Sequence, residues 1–123
     1  MLGLDAVEVA RVKKLVNSAS GRRFLQKVFT PAELAYCTSN GKYKYESLAA
    51  RFAAKESVGK ALGVGIALGE NLTSIEVVND AKGKPAVVLH DRALALAKEK
   101  NISAFELSLS HTDRTAYAVC LAR

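Results

Sequence analysis

The stretch RFAAKESVGKALGVG, Arg51 to Gly65, decides how this chain is read. Ala, Lys, Glu and Leu dominate from about Lys44 to Leu62, so the composition predicts one long helix, with Gly63 and Gly65 offering the stop. Inside it, Phe52, Ala53 and Ala54 are followed at once by Lys55 and Glu56, with Lys60 one turn beyond. On a helix Phe52, Glu56 and Lys60 share one ridge, and Arg51 and Lys55 the adjacent one. The simplest account is a surface pair from Glu56 to Lys60, worth roughly a few tenths of a kcal/mol. The flanking alanines admit other backbone closely, so these charges can also stand half-buried beside a cleft.

Outward from this helix the chain alternates short elements. MLGLDAVEV is β-favouring and passes into a helix from about Glu8 or Val9. RVKKLVNSAS and RRFLQKVF read as short amphipathic helices broken at SASG. TPAELAYCTS opens with Thr30 as N-cap, Pro31 at the first helical position and Glu33 completing a capping box. After the long helix, LTSIEVV is a strand, NDAKGKP a turn and AVVLH a second strand, and Asp91 is expected to cap the helix RALALAKEK. AFELSLSH and TAYAVCLA alternate on either side of a TDR turn, as a hairpin does. Helices first and most strands later give α+β, with a mainly antiparallel sheet in a single domain over residues 1–123.

Half of the 123 residues are hydrophobic and 24% are charged, a composition that folds into a core without metals or disulfides. No apolar run reaches the roughly 18 residues that span a bilayer, and the first residues lack the pattern of a signal peptide. A cytoplasmic setting is expected, with Cys37 and Cys120 as free thiols. Residues 11 to 32 hold Arg11, Lys13, Lys14, Arg22, Arg23 and Lys27 and no acidic side chain, matching the chain's whole net charge of +6. Such a block favours a negatively charged partner: nucleic acid, an anionic membrane surface or an acidic protein.

Three places resist a purely structural reading. Asp5 lies in the apolar run LGLDAVEVA, where an unpaired buried carboxylate is too costly to keep. It caps the following helix, pairs with a cation, or coordinates a metal. The second is the charged ridge of the long helix. Two carboxylates and several cations around one cleft suit a Mg²⁺-bound phosphate, because magnesium takes one or two protein carboxylates and completes its shell with water and phosphate oxygens. The third is SLSHTDR, Ser108 to Arg114, where Ser110 and His111 point to opposite faces of a strand and so form no nucleophilic dyad. His111 at a strand end is either a satisfied structural group or a phosphate ligand. A P-loop is absent, Gly63, Gly65 and Gly69 follow a helix and not a strand, and the two histidines and two cysteines lie too far apart for a zinc site.

Together GLDAVEVARV at Gly3 to Val12, RFAAKESVGKALGVG at Arg51 to Gly65, and SLSHTDRTAYAVC at Ser108 to Cys120 resemble bacterial 4′-phosphopantetheinyl transferases of the holo-[acyl-carrier-protein] synthase type. NDAKGKP is similar to that family's N-x-x-G-K-P turn. The departures are Ala6, where a larger β-branched residue is usual, and Val64, inside a G-x-G that normally holds threonine.

The resemblance implies an antiparallel sheet packed on a long central helix, with active sites at the interfaces of a homotrimer. It implies transfer of the phosphopantetheine arm of coenzyme A to a serine of an apo acyl carrier protein in fatty-acid biosynthesis, with adenosine 3′,5′-bisphosphate released. Asp5 and Glu56 would hold Mg²⁺, and Lys60 would neutralise charge developing on the diphosphate. Arg51, Lys55, Ser110, His111 and Thr112 would grip the coenzyme's phosphates, with Pro85 near the adenine. The serine proton could pass to Glu56 or to a metal-bound water, and the sequence does not choose. Arg11 and Arg23, supported by Lys14 and Arg22 and anchored by Phe24, would dock the acidic carrier protein. No membrane or nucleic-acid partner is then expected. The alternative is a small basic nucleic-acid-binding module, which lacks the aromatic interleaving of single-strand platforms: there is no tryptophan and only 7% aromatic residues.

Overall fold

The alternation of apolar and polar residues at the start of the chain folds as β1, Leu2–Glu8, which runs directly into α1, Val9–Val16. The computed structural model describes residues 1–63 and 72–123. Next come α2 (Gly21–Val28) and α3 (Pro31–Tyr36), the second opened by the expected Thr30 and Glu33 capping box. The long helix, α4, covers Tyr45–Ala61. Gly63 follows with φ +79, the left-handed conformation that ends helices at glycine. Gly65 and Val64 lie outside the described residues.

The sheets are antiparallel throughout the described residues. β6 (Phe105–His111) and β7 (Thr115–Ala122) form the expected hairpin, and β1 pairs on the other side of β7, giving the order β1-β7-β6. β4 (Ile75–Asn79) and β5 (Pro85–Leu89) form a second ladder closed by the turn 80–84. Two expectations shift here. Leu72–Ser74 is a 3₁₀ turn, so the strand begins only at Ile75. The N-cap of α5 (Asp91–Glu99) is His90, and Asp91 is the first helical residue with φ +46 and no capping role. A short hairpin, β2 (Thr38–Ser39) with β3 (Lys42–Tyr43), turns on Asn40 and Gly41 at positive φ. Asn-Gly between β-favouring residues is itself a hairpin signature.

α4 lies across the inner face of β1 and β7 and is buried nearly all round, from Leu48 to Gly59. A helix so enclosed needs small residues where backbones meet. Gly3 meets that need from the strand side: a Cβ there would stand 1.9 Å from the Ser57 carbonyl oxygen. The alanines 49, 50, 53, 54 and 61 meet it from the helix side. Cys37 and Cys120 are buried free thiols, and burial pushes both up to about 11.

The largest departure from a hydrophobic interior is an ion pair. Lys55 Nζ lies 2.5 Å from Glu33 Oε1 with both side chains fully buried, and it donates to the carbonyls of Ile75 at 2.6 Å and Leu72 at 3.2 Å. Glu33 accepts in turn from the amides of Thr30 and Val77. Gly3→Ala should force β1 off α4 and lower the melting temperature sharply, because the obstructing atom is backbone and cannot swing aside. A melting curve unchanged by that substitution would show that the strand and helix are not in this contact.

Candidate active site

Side chains alternate along a strand, so Gly3, Asp5 and Val7 face α4 while Leu2, Leu4 and Ala6 face outward. The close approach at Gly3 thereby brings Asp5 against the C-terminal half of the helix. Lys60 Nζ reaches across to Asp5 Oδ1 at 3.0 Å and to the Leu4 carbonyl at 2.9 Å. The helical pair expected from Glu56 to Lys60 is thus replaced by a tie between helix and strand. Glu56 is half-buried, and its carboxyl is held above the usual carboxylate range, first by burial and then by the charge of Asp5, with Lys60 and Arg11 opposing. Asp5 and Glu56 therefore stand in each other's field. Among the described residues no group of three or more His, Cys, Asp or Glu forms a metal cluster. Two adjacent carboxylates that repel one another are nevertheless the donor set that Mg²⁺ uses beside a phosphate substrate.

A second set of groups surrounds a cavity of about 330 Å³ lined by Tyr36, Arg51, Asn79, Lys84, Pro85, Ser108 and His111, among others. Arg51 is only 4% exposed, yet among the described residues no carboxylate pairs with it. Its Nη2 donates to Asn79 Oδ1 at 2.6 Å, its guanidinium stacks 3.9 Å from the centre of the Tyr36 ring, and its buried Nε has no partner. A guanidinium this buried and uncompensated calls for an anion. His111 Nδ1 lies 3.1 Å from the Thr112 carbonyl and 3.5 Å from Glu46.

Comparison with known proteins now decides the family. Residues 1–122 match the model of the 4′-phosphopantetheinyl transferase superfamily. The chain belongs to that superfamily. It is 43% identical to the holo-[acyl-carrier-protein] synthase of Ruminiclostridium cellulolyticum over 99% of this chain and 89% of that one. To the synthase of Moorella thermoacetica it is 44% identical, over 97% and 90%. The holo-[acyl-carrier-protein] synthase of Helicobacter pylori, solved with coenzyme A, superposes with a TM-score of 0.85 at 30% identity and full coverage of both chains. The Neisseria meningitidis synthase gives 0.85 at 35% identity, covering 99% and 96%. The α+β phosphopantetheinyl transferase fold read from the sequence is therefore the fold of the protein.

Against this family frame the expected residues sort clearly. Asp5, Glu56 and Lys60 come together, and Arg51, Pro85 and His111 line the same cavity. Lys55 does not belong with them: its ammonium is sealed inside and spent on Glu33 and two carbonyls, so it is not available to a phosphate. Burial pulls its pKa below the ordinary lysine value, with Glu33 opposing. Ser108 and Ser110 share the outer face of β6, opposite Val119 and Tyr117, and of the two the cavity lining includes Ser108. The Thr112 hydroxyl accepts from the amides of Arg114 and Thr115 and so shapes the β6–β7 turn. Arg11, Lys14, Arg22 and Arg23 are exposed on α1 and α2. Phe24 is half-buried and packs edge-on against Phe29 and Phe52, so only part of its ring can meet a partner. Tyr36, Asn79 and Lys84 were not singled out from sequence. The stretch NDAKGKP contains two of them, Asn79 and Lys84, whereas Tyr36 carries no local signature.

The raised pKa of Glu56 has a definite sign. The folded protein holds that proton more tightly than the unfolded chain, so the group's contribution becomes unfavourable as pH rises past the ordinary carboxylate range. Without divalent cations, Glu56→Gln should therefore melt above the wild type at about pH 7, with the gain vanishing below about pH 4. Scanning calorimetry at several pH values reads this directly, and an unchanged or lowered melting temperature at neutral pH would contradict the half-buried, charge-crowded setting of Glu56.

Proposed function

We infer that the protein transfers the 4′-phosphopantetheine group of coenzyme A to a serine of an apo acyl carrier protein, releasing adenosine 3′,5′-bisphosphate. The observation that carries this reading is the pairing of Asp5 and Glu56 beside Lys60 in a chain that aligns end to end with holo-[acyl-carrier-protein] synthases. In the reaction the serine oxygen bonds to the pantetheine-side phosphorus, the phosphoanhydride bond breaks, and the bridging oxygen leaves with the nucleotide. The nucleophile comes with the partner, in keeping with the lack of an internal dyad.

Asp5 and Glu56 would hold a Mg²⁺ ion, which supplies charge neutralisation on the diphosphate. Lys60, anchored on Asp5 and Leu4, presents its ammonium to the same group. Arg51, with Lys84 and His111, takes a further phosphate of the coenzyme, and Pro85 borders the space for the adenosine. The basic block adjoins this site, since Arg11 is near enough to act on Glu56. An acidic carrier protein docked on α1 and α2 would be drawn in electrostatically. The nucleic-acid reading has no comparable support in the site.

The two halves of the site argue for an assembly. At about 100° per residue, Glu56 and Lys60 project from α4 roughly 140° and 180° away from Arg51. The body of the buried helix separates the two sides, and the halves are proposed to be completed by neighbouring copies. The outer face of β1 and β7 supplies the contact: Leu2, Leu4, Tyr117, Val119 and Leu121 stand 37–68% exposed on adjacent strands. An apolar face of this kind belongs at an interface, and the homotrimer of the family is the assembly proposed.

Incubation with coenzyme A and apo carrier protein should add one phosphopantetheine mass to the carrier, and chelation should stop it. Lys60→Ala should lower kcat by about a hundredfold or more, and full activity in Glu56→Gln would refute the metal assignment. In sedimentation, the wild type should run as a trimer. Leu4→Lys combined with Tyr117→Glu should yield folded, inactive monomers, and an active monomer would rule out the shared site.

A further inference from the structure

Arg51 is a cavity cation held by a neutral side chain. Asn79, the last residue of β4, accepts from Arg51 Nη2 through Oδ1 at 2.6 Å and donates from Nδ2 to the Gly83 carbonyl at 2.9 Å. A guanidinium can only donate and a carbonyl can only accept, so the orientation of the amide is fixed by its partners. One side chain thus ties the Arg51 fork to the turn 80–84, which carries Lys84 and leads into Pro85. The face of Tyr36 holds the guanidinium from the other direction.

The neighbouring residue shows what this choice accomplishes. Asp80 places its carboxylate in the turn, accepting from the amides of Lys82 and Lys84 at 2.9 Å each. The chain therefore puts an acid where the backbone needs acceptors and an amide where it meets the guanidinium. A carboxylate at position 79 would satisfy Arg51 just as well as an acceptor, but it would also cancel the charge on which the cavity depends. An amide fixes the fork and leaves its charge uncompensated.

We propose that Asn79 is a positioning residue for coenzyme A binding, orienting Arg51 toward a coenzyme phosphate while sparing its positive charge. This rests on the transferase reading above. The residue touches Arg51 and not the reacting atoms, which lie at the other half-site, so its signature is a rise in KM for coenzyme A at nearly constant kcat.

The test compares Asn79→Ala and Asn79→Asp, each also in an Arg51→Lys background, by coenzyme A titration and steady-state kinetics with saturating carrier protein. Asn79→Ala removes both bonds of the amide and should raise KM for coenzyme A about tenfold. Asn79→Asp should raise it further, because it adds the neutralising charge. With Arg51→Lys there is no fork left to orient, so Asn79→Ala should then cost little. Thermal unfolding of each variant separates loss of fold from loss of binding. An Asn79→Asp protein that binds coenzyme A as tightly as wild type, or no worse than Asn79→Ala, overturns the proposal. So does an equal penalty for Asn79→Ala in both backgrounds. A wild-type protein with no affinity for coenzyme A overturns the transferase reading itself and this inference with it.

Discussion

The structure depends on a salt bridge with no exposed atom. Glu33 and Lys55 meet at 2.5 Å in the interior, and together they tie α3, α4, the Leu72–Ser74 turn and β4. Glu33 closes the capping box of α3 through Thr30 and accepts from Val77 of β4. Lys55 holds Ile75 and Leu72 onto α4. Desolvating two charges is expensive, and such pairs are often no more stabilising than well-packed hydrophobic residues. What the pair supplies is direction. A buried charge tolerates few alternative partners, so it fixes the rotation of α4 about its axis. Because Glu56 follows Lys55 directly, that rotation also aims Glu56 at β1.

From this constraint the rest of the active-site geometry follows by helix arithmetic. Arg51, Lys55, Glu56 and Lys60 share one helix but not one face. Lys55 points into the core, Arg51 toward the β4–β5 turn, and Glu56 and Lys60 toward β1. Gly3 then decides how near β1 may come. Phosphoryl transfer relies mainly on charges held in place, and here each charge is mounted on a helix or strand that cannot shift alone.

Much of this was legible in the sequence where local chemistry speaks. The capping box at Thr30, the strand-to-helix passage near Val9, the glycine stop of α4 and the β6–β7 hairpin all depend on residues a few positions apart. The pairing of Asp5 with the long-helix charges came from the resemblance as well as from the cost of burying a carboxylate. Lys55 was assigned to the coenzyme's phosphates through the resemblance, and nothing local reveals that Glu33, twenty-two positions earlier, lies against it and takes its charge. Asp91 was misread for a related reason: it has the side chain of a cap, but the chain enters α5 through His90. The Tyr36–Arg51 stack is likewise a tertiary event. Residues whose roles rest on distant partners escape sequence reading unless a family pattern records them.

The basic character of the chain acquires a more specific meaning once the pairs are separated from the unpaired charges. Lys55 is neutralised inside, Lys60 is half committed to Asp5, and Arg123 is paired with Glu106. Among the described residues, Arg11, Lys14, Arg22, Arg23 and Arg51 have no such carboxylate partner. These cations fall into two groups of different design. Those of α1 and α2 are exposed, suited to steering an acidic macromolecule and sensitive to salt. Arg51 is enclosed, stacked and hydrogen-bonded, so it loses little freedom when an anion arrives and is screened little by salt. Exposed cations suit a large acidic partner, and an enclosed one suits a small phosphorylated ligand. Reach serves the first and rigidity the second.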